Sequence, residues 1–384
     1  MRPVLLIFLG VAALILTPSR VFAQATPVEV CPGNGIQPRP TEFEPGGLIL
    51  TTFDRDAIWV YNIATDSRYP LPETVPCGRN CHVSSDGQWI LRMGEDLNYY
   101  KMRLDGTQRT LLVGGAAEVR WWNLETLLVW TPDQRVFLLP DGAPNTEDQR
   151  IYLDGRGVVA VQPGGQHALT IQQGENVGFV RVLENLELRG LVGVAGAAPV
   201  ILGPDTPYAN DAAWSPDGSY LAYVRQAETN AGNASSEVYG VRPGDTAPAQ
   251  WTDLTTTYGP VRVNGQLIGD LSWSPDSTRV AFWVIPRGDG GPETDGEARL
   301  HLYDTRDNRL RSYCGFTTTE HTPTPPRLVW SPGSTHIAFG GNVPNDNKGY
   351  LLLALNVADG TLTELSEGIF PALGTADVMA WGGT

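Results

Sequence analysis

The sequence predicts an all-β protein: a β-propeller of four-stranded blades, its ring closed by the N- and C-terminal strands. Three observations carry this. First, one hairpin recurs, beginning Trp214-Ser215-Pro216-Asp217-Gly218, Trp273-Ser274-Pro275-Asp276-Ser277 and Trp330-Ser331-Pro332-Gly333-Ser334, with starts 59 and 57 residues apart. A fixed unit at that scale marks a repeat architecture. Second, each copy is strand, tight turn and return strand, as in Leu221-Ala222-Tyr223, Val280-Ala281-Phe282 and Ile337-Ala338-Phe339. One such sheet cannot bury both faces alone, whereas radially stacked sheets can. Third, Ala376 to Trp381 looks like an inner strand with no return, and Gly47 to Phe53 like a return with no inner strand. Pairing them removes edges that would template aggregation.

The elements follow in order. In the turn, Pro presets φ, Asp bonds nearby backbone N–H groups and Gly tolerates positive φ. Trp214, Asp217, Trp273, Asp276, Trp330 and Trp381 are therefore structural repeat residues. Weaker copies lie at Val83 to Leu91, Trp122 to Val129 and Val161 to Leu169. Anchors at Val83, Trp122, Val161, Trp214, Trp273, Trp330 and Trp381 count seven blades, with six or eight following if a degenerate blade between residues 113 and 205 is miscounted. Outer strands are read at Ile58 to Ile63, Tyr99 to Leu104, Leu300 to Asp304 and Leu351 to Val357, each an apolar or β-branched run before a polar turn. No helical periodicity competes after the N-terminus.

Trp-Ser-Pro-Asp-Gly followed by a Leu-Ala-Tyr-like return resembles the TolB-like, WD-repeat-like bacterial propellers, and the propeller domains of prolyl oligopeptidases. The resemblance is strong over residues 210 to 340 and extends by inference over 46 to 384. It implies the propeller fold. Two family features are missing: nothing here builds the extra N-terminal α/β domain of TolB, and no Gly-x-Ser-x-Gly of an α/β-hydrolase occurs. Fold alone does not fix function.

Residues 1 to 25 read as a secretory signal. Arg2 gives the positive start, Val4 to Leu16 the short apolar run, and Ala23-Gln24-Ala25 the small-x-small cleavage pattern. A Pro-rich tail, 26 to 45, should be extended with little structure of its own. Residues 46 to 384 form the propeller domain. The formal net charge is −15. Losing Arg2 and Arg20 with the signal makes it −17, which excludes nucleic acid and anionic membrane as partners. No segment after the signal is apolar enough to span a bilayer. The chain is expected to be monomeric and extracytoplasmic: periplasmic, in the cell envelope or secreted.

The cysteines are Cys31, Cys77, Cys81 and Cys314. An exported chain with an even count implies disulfides. Cys77 with Cys81 and Cys31 with Cys314 is one connectivity; Cys31 with Cys77 or Cys81 is nearly as good. Cys77 to His82 is one residue longer than a Cys-x-x-Cys-His haem attachment, so no cofactor is expected.

Propeller connectivity sorts loops onto two faces. The turns from strand one to two are short. The long connections, Gln226 to Ser236, Leu254 to Asp270, Pro286 to Glu297, Gly315 to Pro326 and Gly341 to Gly349, collect on the other face of blades five to seven. Long loops on a rigid scaffold carry binding. Tyr208, Tyr258, Asp289, Asp295 and Asn345 are the interaction-face candidates. The oxygen-rich loops fit no calcium-loop spacing. Asn233-Ala234-Ser235 is a glycosylation sequon, with meaning only in a host that modifies it. The five histidines, His82, His167, His301, His321 and His336, show no metal-ligand spacing. No catalytic or metal residue is assigned. The expected function is a non-catalytic protein-binding or scaffold module. The alternative is a propeller enzyme, a hydrolase or lyase, with its site at the channel mouth.

Overall fold

The computed structural model describes residues 24–383, apart from 33–34, 53–57, 72–80, 134, 154–157, 166, 172–184, 191–199, 205–211, 228–234, 265–270, 289–295, 315–324, 343–349 and 367–376. The described strands fall into seven sheets, and the protein is an all-β propeller. The first sheet orders Asp377–Gly382, Leu48–Thr52, Ile58–Asn62 and Ser67–Pro70 from the axis outward; the second orders His82–Val83, Trp89–Met93, Asn98–Arg103 and Thr110–Gly114. The third runs Glu118–Asn123, Thr126–Trp130, Val136–Pro140, Ile151–Leu153, and the fourth Val158–Val161, His167–Ile171, Asn185–Gly190, Val200–Pro204. The fifth is Ala212–Trp214, Leu221–Ala227, Ser235–Val241 and Ala249–Gln250. The four runs read as outer strands are thus all third strands, and a further strand lies outside each.

The two ends of the chain do pair. Ile49 lies opposite Trp381 and Leu50 opposite Ala380 in an antiparallel ladder. Gly47, at φ 89°, passes too close to the Gly382 carbonyl for any Cβ to fit, so glycine is required there.

Period-two alternation explains the ring. Over most of their described length the second strands are buried on both faces, so they read as largely apolar runs, and their alternate side chains enter different seams. In Arg279–Pro286, Val280, Phe282 and Val284 pack against Ala222, Val224 and Val238 of the fifth sheet. Ala281, Trp283 and Ile285 pack against Ile337, Phe339 and Leu353 of the seventh. The same division holds elsewhere: Ile90 and Met102 meet Leu50 and Val60, whereas Leu91 and Tyr99 meet Val119 and Leu127. Leu128 and Leu138 face Val161 and Ala168; Ala160 and Leu169 face Trp214 and Tyr223; Ala338 and Leu352 face Ile49 and Val378. Every sheet therefore shares an apolar cluster with the next one around.

The repeat residues hold turns and seams. Gly218, at φ 71°, occupies the left-handed position of its turn, where Ser277 and Ser334 stand in the next two copies at φ 60° and 58°. Asp217 Oδ1 accepts from Ser219 N at 2.9 Å and Ser215 Oγ at 2.7 Å; Asp276 Oδ1 accepts from Thr278 N at 3.2 Å. Successive turns also touch. Asp217 N donates to Ser277 Oγ at 3.0 Å, and Asp276 N to Ser334 Oγ at 3.1 Å. The indole N–H of Trp273 donates to the Ala213 carbonyl, and that of Trp330 to the Ser272 carbonyl, each on the preceding inner strand.

Two features go beyond four-stranded blades. In the sixth sheet the inner strand is split: Val261–Val263 and Ser272–Trp273 both pair with Arg279–Pro286, followed by Arg299–Asp304 and Arg309–Tyr313. A one-turn helix, Leu254–Tyr258, precedes the split strand, in a stretch expected to be all loop. Second, the N-terminal tail is extended but takes its order from the blade edges. Ala25 is only 8% exposed and bridges to Thr252 beside the fifth sheet. Pro27–Val30 pairs in parallel with Leu310 to Tyr313 of the sixth. Ile36–Pro38 pairs in parallel with Leu362 to Glu364 of the seventh, whose other strands are Val329–Trp330, His336–Asn342, Tyr350–Asn356 and Leu362–Ser366. Phe43 then packs on His336 and Trp381 before the chain enters the first sheet. This strap crosses four sheets in ring order. Among the described residues, no helix is long and apolar enough to cross a membrane.

Candidate functional site: the channel mouth

Inner strands and turns from six of the sheets surround a cavity of about 450 Å³. Its wall includes four tryptophans, Trp273, Trp283, Trp330 and Trp381, each under 10% exposed. Their indole N–H groups are satisfied in the wall; that of Trp283 donates to the Pro326 carbonyl at 2.7 Å and that of Trp381 to the Gly46 carbonyl at 2.8 Å. Polar lining residues on or beside the inner strands are His82, Arg120, Asn264 and Arg327. Asn264, at φ 60°, pairs with Trp283 through both its backbone N–H and its side-chain oxygen.

His82 opens the inner strand of the second sheet and Glu118 that of the third. Alternation returns Arg120 to the Glu118 face. Arg120 Nε donates to Glu118 Oε1 at 2.6 Å, and His82 Nε2 lies 3.1 Å from the same oxygen. Burial pushes the Glu118 carboxyl up, but the bonds and charges of His82 and Arg120 outweigh it and hold the carboxyl at about 2. Glu118 is therefore ionised near neutrality and ties two blades together. The Trp121 indole donates to the His82 carbonyl at 3.2 Å across the same seam. A carboxylate held this low makes a poor general acid; it can orient the imidazole and guanidinium toward a ligand. Among the described residues, no group of three or more His, Cys, Asp or Glu could hold a metal ion.

Sequence reasoning missed this trio because His82 and Glu118 stand 36 residues apart, one blade removed, and no local motif joins them. The remaining described histidines are built into the structure. His301 is fully buried: its Nε2 meets the Tyr258 hydroxyl at 3.0 Å and its Nδ1 the Arg299 carbonyl at 3.0 Å. Burial lowers its pKa to about 4. His167 Nδ1 bonds Gln162 and His336 Nδ1 bonds Thr335; His321 lies outside the described residues.

Of the interaction-face candidates, Tyr258 is half-buried, its hydroxyl engaged by His301 and its ring under Arg299 at 5.5 Å. Tyr208, Asp289, Asp295 and Asn345 lie outside the described residues. Of the sequon, Asn233 is undescribed, and Ser235 is buried, its Oγ bonded to Thr255 and accepting from Val261 N. Cys31 and Cys314 are disulfide-bonded, with Cα atoms 5.1 Å apart. Cys81 is also in a disulfide, and Cys77 lies outside the described residues.

No protein-family model matches the chain. No curated protein sequence matches it either. Solved structures do. A puromycin-hydrolyzing peptidase of Mycobacterium tuberculosis is similar with a TM-score of 0.52 and 13% identity, over 90% of this chain and 56% of that one. This chain thus spans little more than half of the peptidase. An oligogalacturonate lyase of Vibrio parahaemolyticus is similar with a TM-score of 0.51 and 11% identity, over 84% of this chain and 87% of that one. A putative TolB of Agrobacterium tumefaciens aligns at a TM-score of 0.40 and 13% identity, over 86% and 99% of the two chains. At these identities the likeness extends to the fold, a β-propeller.

Proposed function

We propose that the protein is an exported, non-catalytic propeller of the TolB-like kind that binds a protein partner in the bacterial cell envelope or outside the cell. We read its seven sheets as seven blades and its residues 1–25 region as an export leader. The observation that carries the binding reading is where the connections lengthen. Second-to-third-strand connections run from Ile171 to Asn185, Ala227 to Ser235, Pro286 to Arg299 and Asn342 to Tyr350 in the fourth to seventh sheets. In the second and third sheets they run only from Met93 to Asn98 and Trp130 to Val136. The blades below the long connections are bonded seam to seam, which gives such loops a fixed base. Tyr208, Tyr258, Asp289, Asp295 and Asn345 are the proposed contact residues. The Cys31–Cys314 disulfide supports an oxidising, extracytoplasmic location.

The test shortens Pro286 to Glu297 and Gly341 to Gly349 to tight turns. Crosslinking in the native envelope should lose the partner captured by the intact chain, while the melting temperature holds. Capture of the same partner by the shortened chain would overturn the assignment of the face.

A second reading, an enzyme at the channel mouth, is favoured by His82, Glu118 and Arg120 beside a cavity lined in part by tryptophans. Two fold neighbours, a lyase and a peptidase, are enzymes. Turnover of uronate oligomers or of peptide amides that disappears in Glu118→Gln and His82→Ala would establish it; no turnover by the intact protein would remove it.

A further inference from the structure

We propose that Thr110–Gly114, the outermost strand of the second sheet, takes up an extended, basic-flanked segment of a protein partner as a fifth strand. This surface is separate from the long connections of the fifth to seventh sheets and does not rest on their role.

An outermost strand presents a row of N–H and C=O groups that templates further pairing, and proteins blunt such edges with charge, proline, brevity or a cover. Six of the sheets here do so. The first ends in Ser67–Pro70, with Arg68 and Pro70 on the edge. The third ends in the three residues Ile151–Leu153, directly after Arg150, and the fourth in Val200–Pro204, which stops at a proline. The fifth has only Ala249–Gln250. The sixth and seventh carry Arg309, Arg311 and Glu364 on their edges, and the strap lies along both. The second sheet has none of these devices. Its edge reads Thr-Leu-Leu-Val-Gly, without charge or proline, and Leu111 is 56% exposed. Its inner side is paired, Thr110 with Lys101, Leu111 with Tyr100 and Val113 with Tyr99. Its outer side meets no strand among the described residues.

The strap shows how this ring accepts such a segment. Pro27–Val30 and Ile36–Pro38 lie parallel to the outer strands they cover, and Val30 and Ile36 pack on the apolar cluster between the sixth and seventh sheets. The occupant of the second sheet follows from charge and size. Each copy of the chain carries −15, so a twin edge is repelled and a basic segment attracted. A five-residue ladder is also a small contact beside the roughly 1,200–2,000 Å² of a stable interface between folded surfaces. An added peptide strand gains main-chain bonds along its length, with alternate side chains for specificity.

The probe is a short fluorescent peptide in which valine alternates with threonine, with lysine at both ends, titrated into the full chain and read by anisotropy. Saturable binding is expected, weaker when glutamate replaces the lysines. Leu111→Lys should weaken it about tenfold, the loss of one apolar anchor, while Ile151→Lys on the neighbouring edge leaves it unchanged. N-methylation of alternate peptide residues tests the ladder without touching the protein: one phase should abolish binding and the other spare it. No binding, equal effects of the two methylated forms or equal effects of the two lysine variants would overturn the proposal. So would sedimentation showing a dimer that Leu111→Lys dissolves, which would make a second copy the occupant. Shortening the long connections should leave peptide binding intact, so this surface and that face fail separately.

Discussion

Replacing Cys31 and Cys314 together by serine removes the clasp between the strap and the sixth blade. The two residues are 283 apart in sequence. Closing a loop of that length costs the denatured chain about 5–6 kcal/mol in the entropy model, and that is the upper limit of the effect. The structure lowers the expectation. Without the bond, Pro27–Val30 can leave Leu310 to Tyr313 while the inner strands stay paired, so the native state regains some freedom as well. A loss of about 2–5 kcal/mol follows, the usual range for a native disulfide. Chemical denaturation without reductant, comparing midpoint and slope, measures it. The slope should rise because the released denatured chain exposes more surface. Hydrogen exchange should show protection lost first at Val28 to Val30 and along Leu310 to Tyr313. An unchanged midpoint would refute the argument that the strap restrains the ring.

Three further outcomes are expected. Asp217→Ala and Asp276→Ala should each cost about 0.5–2 kcal/mol, as lost caps do, and Ser277→Ala about 1 kcal/mol, because it strips the acceptor of Asp217 N. Denaturation midpoints equal to wild type would show these turns to be passive. Glu237→Gln should cost about 1–3 kcal/mol: the buried carboxylate accepts only, from Thr252 Oγ, Leu254 N, and Thr255 N and Oγ, so an amide NH₂ must face a donor. Stability should also fall with acidity in two windows. Below about 6.5 the unfolded chain protonates its His301 while burial keeps the folded one neutral down to about 4; below the ordinary carboxyl range, stability held by Glu118 is lost toward about 2. His301→Gln should flatten the upper window in a pH series of melts, and an unchanged slope there would contradict the assignment.

The fold was legible because its repeat is physical. The Ser-Pro-Asp turn, the small alanine between large residues and the orphan strands at each end all appear in the structure in the expected roles. The inner strand of the sixth blade was not legible as a split, since Val261-Arg262-Val263 is too short to announce itself and the hairpin after it looks complete. Nor was the strap, because a Pro-rich tail has no pattern of its own; its strands exist only where blade edges offer unpaired groups. The channel-mouth trio escaped for a related reason. His82, Glu118 and Arg120 meet through ring geometry, and a single sequence carries no mark of which blade neighbours which side chain.

The repeat tryptophans and the strap reinforce the same part of the ring. Trp273 and Trp330 each donate to the inner strand of the blade before, which is why their spacing matches one blade. Tyr313 and Tyr61 add bonds to the Val357 and Leu365 carbonyls across the next two seams. The strap crosses those same seams, from Ala25 beside the fifth sheet to Leu48 in the first. Trp214 has the same repeat position, yet its buried indole N–H has no partner among the described residues. The seam between the fourth and fifth sheets relies instead on apolar packing, on the Tyr223 hydroxyl donating to the Leu202 carbonyl at 2.9 Å, and on Gln162 Nε2 donating to the Gly218 carbonyl at 2.8 Å. A buried donor without an acceptor costs free energy. The fourth sheet also lacks the Trp-Ser-Pro-Asp hairpin that in the sixth supplies both stitch and turn. Among the described residues the ring is thus uneven: the strap runs from the fifth sheet to the first, and the seam between the fourth and fifth sheets lacks the indole bond that Trp273 and Trp330 supply to the two seams after it.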